Sequence, residues 1–197
     1  MTASSRSVAT RARLLAAART EFAEHGMSAA HVDRIALQAG VNKERIYAYF
    51  GSKEKLFTAV IAEALGDHAV RVGLPLGDLG EYAGRVYDFH QQNPELTRLM
   101  MWEALHYGDQ LLPDEELRTT HYAQKVAALV ESTGGKLDER AAATFLALIG
   151  VAIWPLAFPQ MTRLILGAAT EHTDSMRTYV VEMGRALASS RPSNASA

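Results

Sequence analysis

SAAHVDRIALQAGVNKERIYAYFGSKEKLF, residues Ser28 to Phe57, is the stretch whose reading decides the fold. Val32, Ile35, Ala36 and Ala39 share one face at helical spacing, and Gly40 follows, the residue type that ends a helix in the left-handed conformation at least steric cost. Asn42 then caps a second helix, in which Ile46 and Phe50 sit four apart on the buried side. Two such helices packing across a short turn make a helix-turn-helix, and Ala36 is small where the backbones approach. The outer face of the second helix carries Lys43, Glu44, Arg45, Tyr47 and Tyr49, long cations and hydroxyl-bearing rings that reach bases and phosphates. Gly51 stops this helix and Ser52 caps the next, whose Leu56, Phe57, Val60, Ile61, Ala64 and Leu65 form one apolar stripe joining the reader to a larger body. Taken alone, the pattern also fits a plain helical hairpin.

The match extends further. From about Leu14 to Phe57 the chain resembles the amino-terminal domain of the TetR family of bacterial transcriptional regulators: a first helix ending in Phe22 and Gly26, then Ile35-Ala36, Ala39-Gly40-Val41, Tyr47, Tyr49-Phe50 and Lys53-Glu54-Leu56. The resemblance implies a regulator, in the repressor mode, that binds a palindromic double-stranded operator as a homodimer and is released by a small-molecule effector. Carried onto this chain, it has Lys43, Glu44 and Arg45 reading bases, while Tyr47, Tyr49, Lys53, His31 and Arg34 hold phosphates. Tyr47 occupies a position where a ring also packs inward. One departure stands out: His31, preceded by Ala30, occupies the place where the family has a Thr capping the second helix.

Charge is distributed unevenly. The formal net charge is -2, yet residues 1–57 hold nine Lys and Arg against five Asp and Glu, or +4, leaving -6 for residues 58–197. A basic end on an acidic body suits a protein of which one end meets a polyanion. The resemblance implies a helix-turn-helix DNA-binding domain of three helices over 1–57, which the charge fits, and a helical ligand-binding and dimerisation domain over 58–197, and the absence of any strand pattern makes the chain all-α. The chain has no Cys, which excludes disulfides, thiol nucleophiles and thiolate metal sites. Met1 to Thr10 is polar and Ser-rich, unlike a secretory signal, so the expected location is cytoplasmic. Arg6, Arg11 and Arg13 either add positive charge near DNA or are solvated cations. Ala141 to Phe158 is uncharged and long enough to raise the question of a membrane span. Its Ala content, its Gly150 and Pro155, and its lack of flanking cations favour a buried bundle helix and no membrane partner.

Taken in order, the first helix is expected over about Val8 to Glu24 and a linking helix over Ser52 to about Val70. GLPLGDLG at 73–80 breaks the helical pattern. A helix marked by Tyr82, Val86 and Phe89 ends at Asn93, and Pro94 suits the first turn of its successor, Glu95 to Tyr107. A further helix leads to Gly134-Gly135. Asp138 caps the long apolar helix, which Pro155 and Pro159 kink or break before a short piece through Leu166. The last helix starts after Thr173 or Asp174.

Catalytic footholds are weak. Glu103 and His106 have the Glu-x-x-His spacing of helical di-iron sites, but no second copy exists, so neither a metal nor a cofactor is assigned. Asp88, His90 and His121 form no convincing acid-base pair, and no phosphate loop or nucleophile elbow is present, so no enzyme is expected. Met100, Met101, Trp102, Phe145, Trp154 and Phe158 read either as core or as the lining of the family's effector pocket, for an uncharged or weakly polar apolar ligand. Dimerisation is expected through Asp138 to Phe158 and Ser175 to Ser190 as a four-helix bundle. The residues named for it are Phe145, Ile149, Met176, Val180, Met183 and Leu187, the last four spaced by alternating fours and threes. The competing class is a helical interaction or metal-sensing protein whose helix-turn-helix is structural.

Overall fold

A computed structural model describes residues 3–167 and 173–189, and the side chains among them from Arg6 on, except those of 173 and 174. Ten helices and no strand occur among the described residues: α1 (Ala3–Ala29), α2 (Val32–Ala39), α3 (Lys43–Phe50), α4 (Lys53–Val72), α5 (Leu79–Gln92), α6 (Pro94–Tyr107), α7 (Glu115–Thr133), α8 (Glu139–Ala157), α9 (Pro159–Leu166) and α10 (Thr173–Ser189). Their boundaries follow local chemistry. Gly40 caps α2 at φ 65°, ψ 42°, and Val41 N–H donates to Ala36 O at 3.0 Å. Asn42, Asp78 and Asp138 accept backbone N–H groups at the starts of α3, α5 and α8. Pro155 lies inside α8, and the break falls at Phe158, ahead of Pro159 at the start of α9. Two expectations need adjustment. The first helix begins at Ala3 rather than Val8, and Ser190 of the last helix lies outside the described residues.

The described chain divides into two compact units. The first takes the residues up to Asp67 together with Pro94–Asp114, so α6 belongs with the helix-turn-helix. Its core gathers Leu14, Leu15, Ala18, Phe22, Ile35, Ile46, Leu56, Phe57, Val60, Ile61 and Leu99, with Phe22 and Phe57 edge to face at 5.1 Å. Trp102 closes the end of α1. Gly26 departs from helical geometry at φ 69°, ψ 172°, the Trp102 ring lies over it, and Trp102 Nε1 donates to Ala23 O at 3.3 Å. A side chain at position 26 would run into that ring, 2.7 Å from Cδ2. Arg19 adds a 2.9 Å ion pair to Glu95 at the start of α6.

The second unit holds His68–Asn93 and the residues from Glu115 on. Tyr82, Val86, Leu148 and Ala152 are fully buried in it, and Tyr82 lies 6.4 Å from the Phe145 ring. Here α5 and α10 meet at their backbones. Gly184 would bring a Cβ within 2.9 Å of Gly80 Cα, and a Cβ on Gly80 would collide with Val181 O. Arg177 binds Asp88 at 2.9 Å and Arg185 binds Asp78 at 2.8 Å, clamping the same pair of helices from their rims.

Candidate nucleic-acid interface

The first helix of the reading pair, α2, is held by a partner absent from the local pattern. His31 stands at its N-cap without a side-chain cap. Glu21, from α1, accepts His31 N–H at 2.7 Å and takes Arg34 in a bidentate pair at 2.6 to 3.0 Å. Burial disfavours the charged Glu21 carboxyl, but the hydrogen bonds from Arg34 and His31 outweigh it and hold the pKa below the ordinary value. A carboxylate at a helix N-terminus also meets the positive end of the dipole. The capping role read as missing at His31 is therefore filled from another helix.

On α3, Ile46 and Phe50 are buried while Lys43, Glu44, Arg45 and Tyr47 are exposed. Lys43 Nζ pairs with Asp33 on α2 at 3.0 Å, which raises its pKa. The Arg45 guanidinium makes no hydrogen bond or ion pair among the described residues. Tyr47 is 43% exposed, so its ring is turned outward. Tyr49 is half-buried, its hydroxyl 3.0 Å from Ser7 Oγ at the start of α1. Lys53 Nζ donates to Ala30 O at 2.9 Å and Ser28 O at 3.2 Å, satisfying carbonyls where α1 ends. Of the expected phosphate holders, Arg34, Tyr49 and Lys53 thus also brace the unit internally.

An open groove runs beside the reading helix. It is lined by Arg6, Thr10 and Arg13 of α1, Leu37 of α2, and Arg45 and Tyr49 of α3. Arg6, Thr10 and Arg13 lie at i, i+4 and i+7, one face of a helix, so their convergence was open to a periodicity reading once the helix was taken to start before Val8. Leu37, 83% exposed, was missed because it reads as an ordinary apolar position.

This geometry agrees with the comparisons. Residues 14–60 match the model of the bacterial regulatory proteins of the tetR family, and residues 78–185 match the tetracyclin repressor-like C-terminal domain. The chain belongs to the TetR family. The HTH-type transcriptional repressor SCO4008 of Streptomyces coelicolor is 38% identical over 182 residues, covering 91% of this chain and 95% of that protein. The repressor NicS of Pseudomonas putida is 31% identical over 116 residues, 55% of each chain. Among solved structures, the putative transcriptional regulator SCO4942 of Streptomyces coelicolor superposes with a TM-score of 0.75 at 31% identity, covering 90% of this chain and 97% of that one. As a TetR-family member the chain is a DNA-binding transcription regulator and not an enzyme. Among the described residues no group of three or more His, Asp and Glu gathers to hold a metal, at Glu103 and His106 or elsewhere.

The effector and dimer residues expected of a TetR-family protein are divided. Met100, Met101 and Trp102 lie in the first unit, half-buried, with Trp102 occupied by α1. Phe145, Trp154 and Phe158 lie in the second, where Trp154 and Phe158 stack at 4.4 Å and are 53% and 38% exposed. Phe145 and Val180, 5% and 1% exposed, point into their own unit's core. Ile149, Met176 and Leu187 are half-exposed and Met183 is exposed. The periodic spacing found one face of α10 but not which of its positions the chain's own helices already cover.

Proposed function

We propose that this protein is a ligand-responsive transcriptional repressor that binds a palindromic operator as a homodimer and is released by a small effector with substantial apolar area. The observation that carries the reading is the α3 face: Arg45, Lys43 and Glu44 stand outward on a helix capped by Asn42, beside a groove edged by Arg6 and Arg13. Arg or Lys paired with guanine is the commonest base-specific contact, and cations at the groove edge suit the flanking phosphates. Residues 1–57 would serve as the reading domain and 58–197 as the effector and dimer domain, in the cytoplasm.

Homodimerisation is supported by apolar surface that one copy leaves uncovered. α8 is apolar enough by length and composition to cross a membrane, yet only 22% of that window is buried. Leu146, Trp154, Tyr179 and Met183 on α8 and α10 are each at least half exposed. A second copy covering this face would form the four-helix bundle of the family and carry two reading helices to successive major grooves. Effector binding would then act by changing the lean of α4, which runs directly out of the helix-turn-helix. Selection of fragments by the purified protein from a random DNA pool tests the reading. The expected result is an inverted repeat whose binding weakens steeply with salt; recovery of no consensus overturns it.

A further inference from the structure

The second unit buries positive charge that its described residues leave unbalanced. Lys125 on α7 is 2% exposed, and its Nζ donates one hydrogen bond, 3.2 Å, to Tyr82 Oη on α5. The same ammonium lies 5.7 Å from the Tyr82 ring centroid. A buried ammonium with two of its three N–H donors unused among the described residues is strongly unfavourable unless an anion joins it. Burial alone lowers its pKa, to about 8; no carboxylate acts in the other direction. His68 on α4 is 8% exposed, and its Nε2 is buried without a hydrogen-bond partner among the described residues. Its ring stands 5.3 Å from His90 and 5.0 Å from Phe89.

The charges that act on the His68 ring are of one sign. Lys125, His90 and His121 all oppose protonation of His68. Arg85, 5.5 Å from the Tyr82 ring, donates to the Val72 and Leu74 carbonyls rather than to a carboxylate. The acidic side chains of α5 and its cap are engaged elsewhere: Asp78 and Glu81 hold Arg185, and Asp88 holds Arg177. Two Lys125 N–H groups and a Tyr82 hydroxyl that accepts from Lys125 and so keeps its own proton to donate form a ready set of donors, and the His68 imidazole, within electrostatic reach of Lys125, joins them in the tautomer that carries its proton on Nε2. The single full charge at their centre matches one carboxylate better than a doubly charged phosphate.

We propose that the second unit takes a small organic acid, its carboxylate held by Lys125 Nζ and Tyr82 Oη with His68 Nε2 alongside and its apolar body among the aromatic side chains nearby. This rests on the effector-responsive reading above and narrows it: the apolar ligand carries an acidic head.

The test uses the full-length protein and titration calorimetry with sodium decanoate and sodium 1-naphthoate, each against the primary alcohol of the same skeleton. The acids should bind saturably and about tenfold or more tighter than the alcohols, the margin of a charged hydrogen bond. Lys125→Met should erase that margin, and Tyr82→Phe should reduce it without removing the ring, which keeps the test valid if the first variant folds poorly. Failure of both acids to bind, equal binding of acids and alcohols, or acid binding unaltered in either folded variant overturns the proposal. DNA release is read separately on the selected operator. Acid that binds at Lys125 yet leaves operator affinity unchanged keeps the site and removes the switch. Release of DNA by a neutral compound, equal in wild type and Lys125→Met and with no preference for acids, keeps the switch and removes the site.

Discussion

At the scale of single residues, the reading head depends on a carboxylate that touches no DNA. Glu21 is the acceptor for both His31 N–H and Arg34, so Glu21→Ala leaves a helix-start donor and a guanidinium without their partner. Loss of such a buried acceptor costs about 1–3 kcal/mol, and urea unfolding should show a drop in that range. The base-reading assignment separates by a different measurement. Arg45, whose guanidinium has no partner among the described residues, should discriminate one base per half-site by about 1–3 kcal/mol, so Arg45→Ala should relax preference at one position in a selection experiment. Lys53→Ala should weaken all sequences alike. Because Lys53 also ties the Ser28 and Ala30 carbonyls, the same variant should lower thermal stability, which a DNA contact alone would not do. A Lys53→Ala protein of unchanged melting temperature would show the tie to be incidental.

Among elements, the α5–α10 pair is held where no side chain intervenes. A Cβ on Gly80 would meet Val181 O and, at 2.7 Å, Arg185 Cγ, and backbone cannot move aside as a flexible side chain can. Overpacking of this kind costs about 1–3 kcal/mol, so Gly80→Ala should destabilise the protein measurably in chemical denaturation, while Gly150→Ala, facing open space on α8, should be neutral or mildly stabilising. The dimer prediction belongs here too. Val180 lies in the core, so an Arg there would unfold the unit and say nothing about assembly. Met183 and Leu146, 50% and 72% exposed, are the discriminating positions. Met183→Arg or Leu146→Arg should give a folded monomer by sedimentation with operator affinity lost; dimers persisting in both variants would place the interface elsewhere.

Over the whole molecule, the buried imidazoles and Lys125 set how stability varies with pH. Burial lowers the pKa of His68 to about 3 and that of His90 to about 4, so below pH 6.5 the unfolded chain takes up protons that the folded chain refuses. Their stabilisation is complete above the unfolded value and is lost as pH falls toward the folded ones, with a limiting slope of about 1.4 kcal/mol per pH unit for each ring. Lys125, depressed to about 8, works in the same sense at higher pH: its contribution increases from pH 8 toward 10.5 as the folded chain sheds a proton that the unfolded chain keeps. Urea midpoints between pH 7 and 4.5 should fall steeply in the wild type and less so in His68→Leu. Equal slopes would mean that His68 is reached by solvent.

What the sequence determined by itself was whatever is written locally. The helix-turn-helix followed from Gly40, Asn42 and the spacing of Ile46 and Phe50, since caps and periodicity act within a few residues. The break after α8 followed from Pro155 and Pro159, and the all-α class from the absence of any alternating pattern. Tertiary structure alone decided which partners meet across long separations. Glu21 reaches His31 and Arg34 from another helix, Trp102 closes over Gly26 from 76 positions along the chain, and α6 joins the reading unit rather than the helices that follow it. Apolar stripes mark a helix face as buried without saying against what, so Trp102 read either as core or as pocket wall and Val180 as a dimer contact. The charge cluster of His68, Tyr82 and Lys125 was invisible for the same reason: its members come from three helices and converge only when those helices pack.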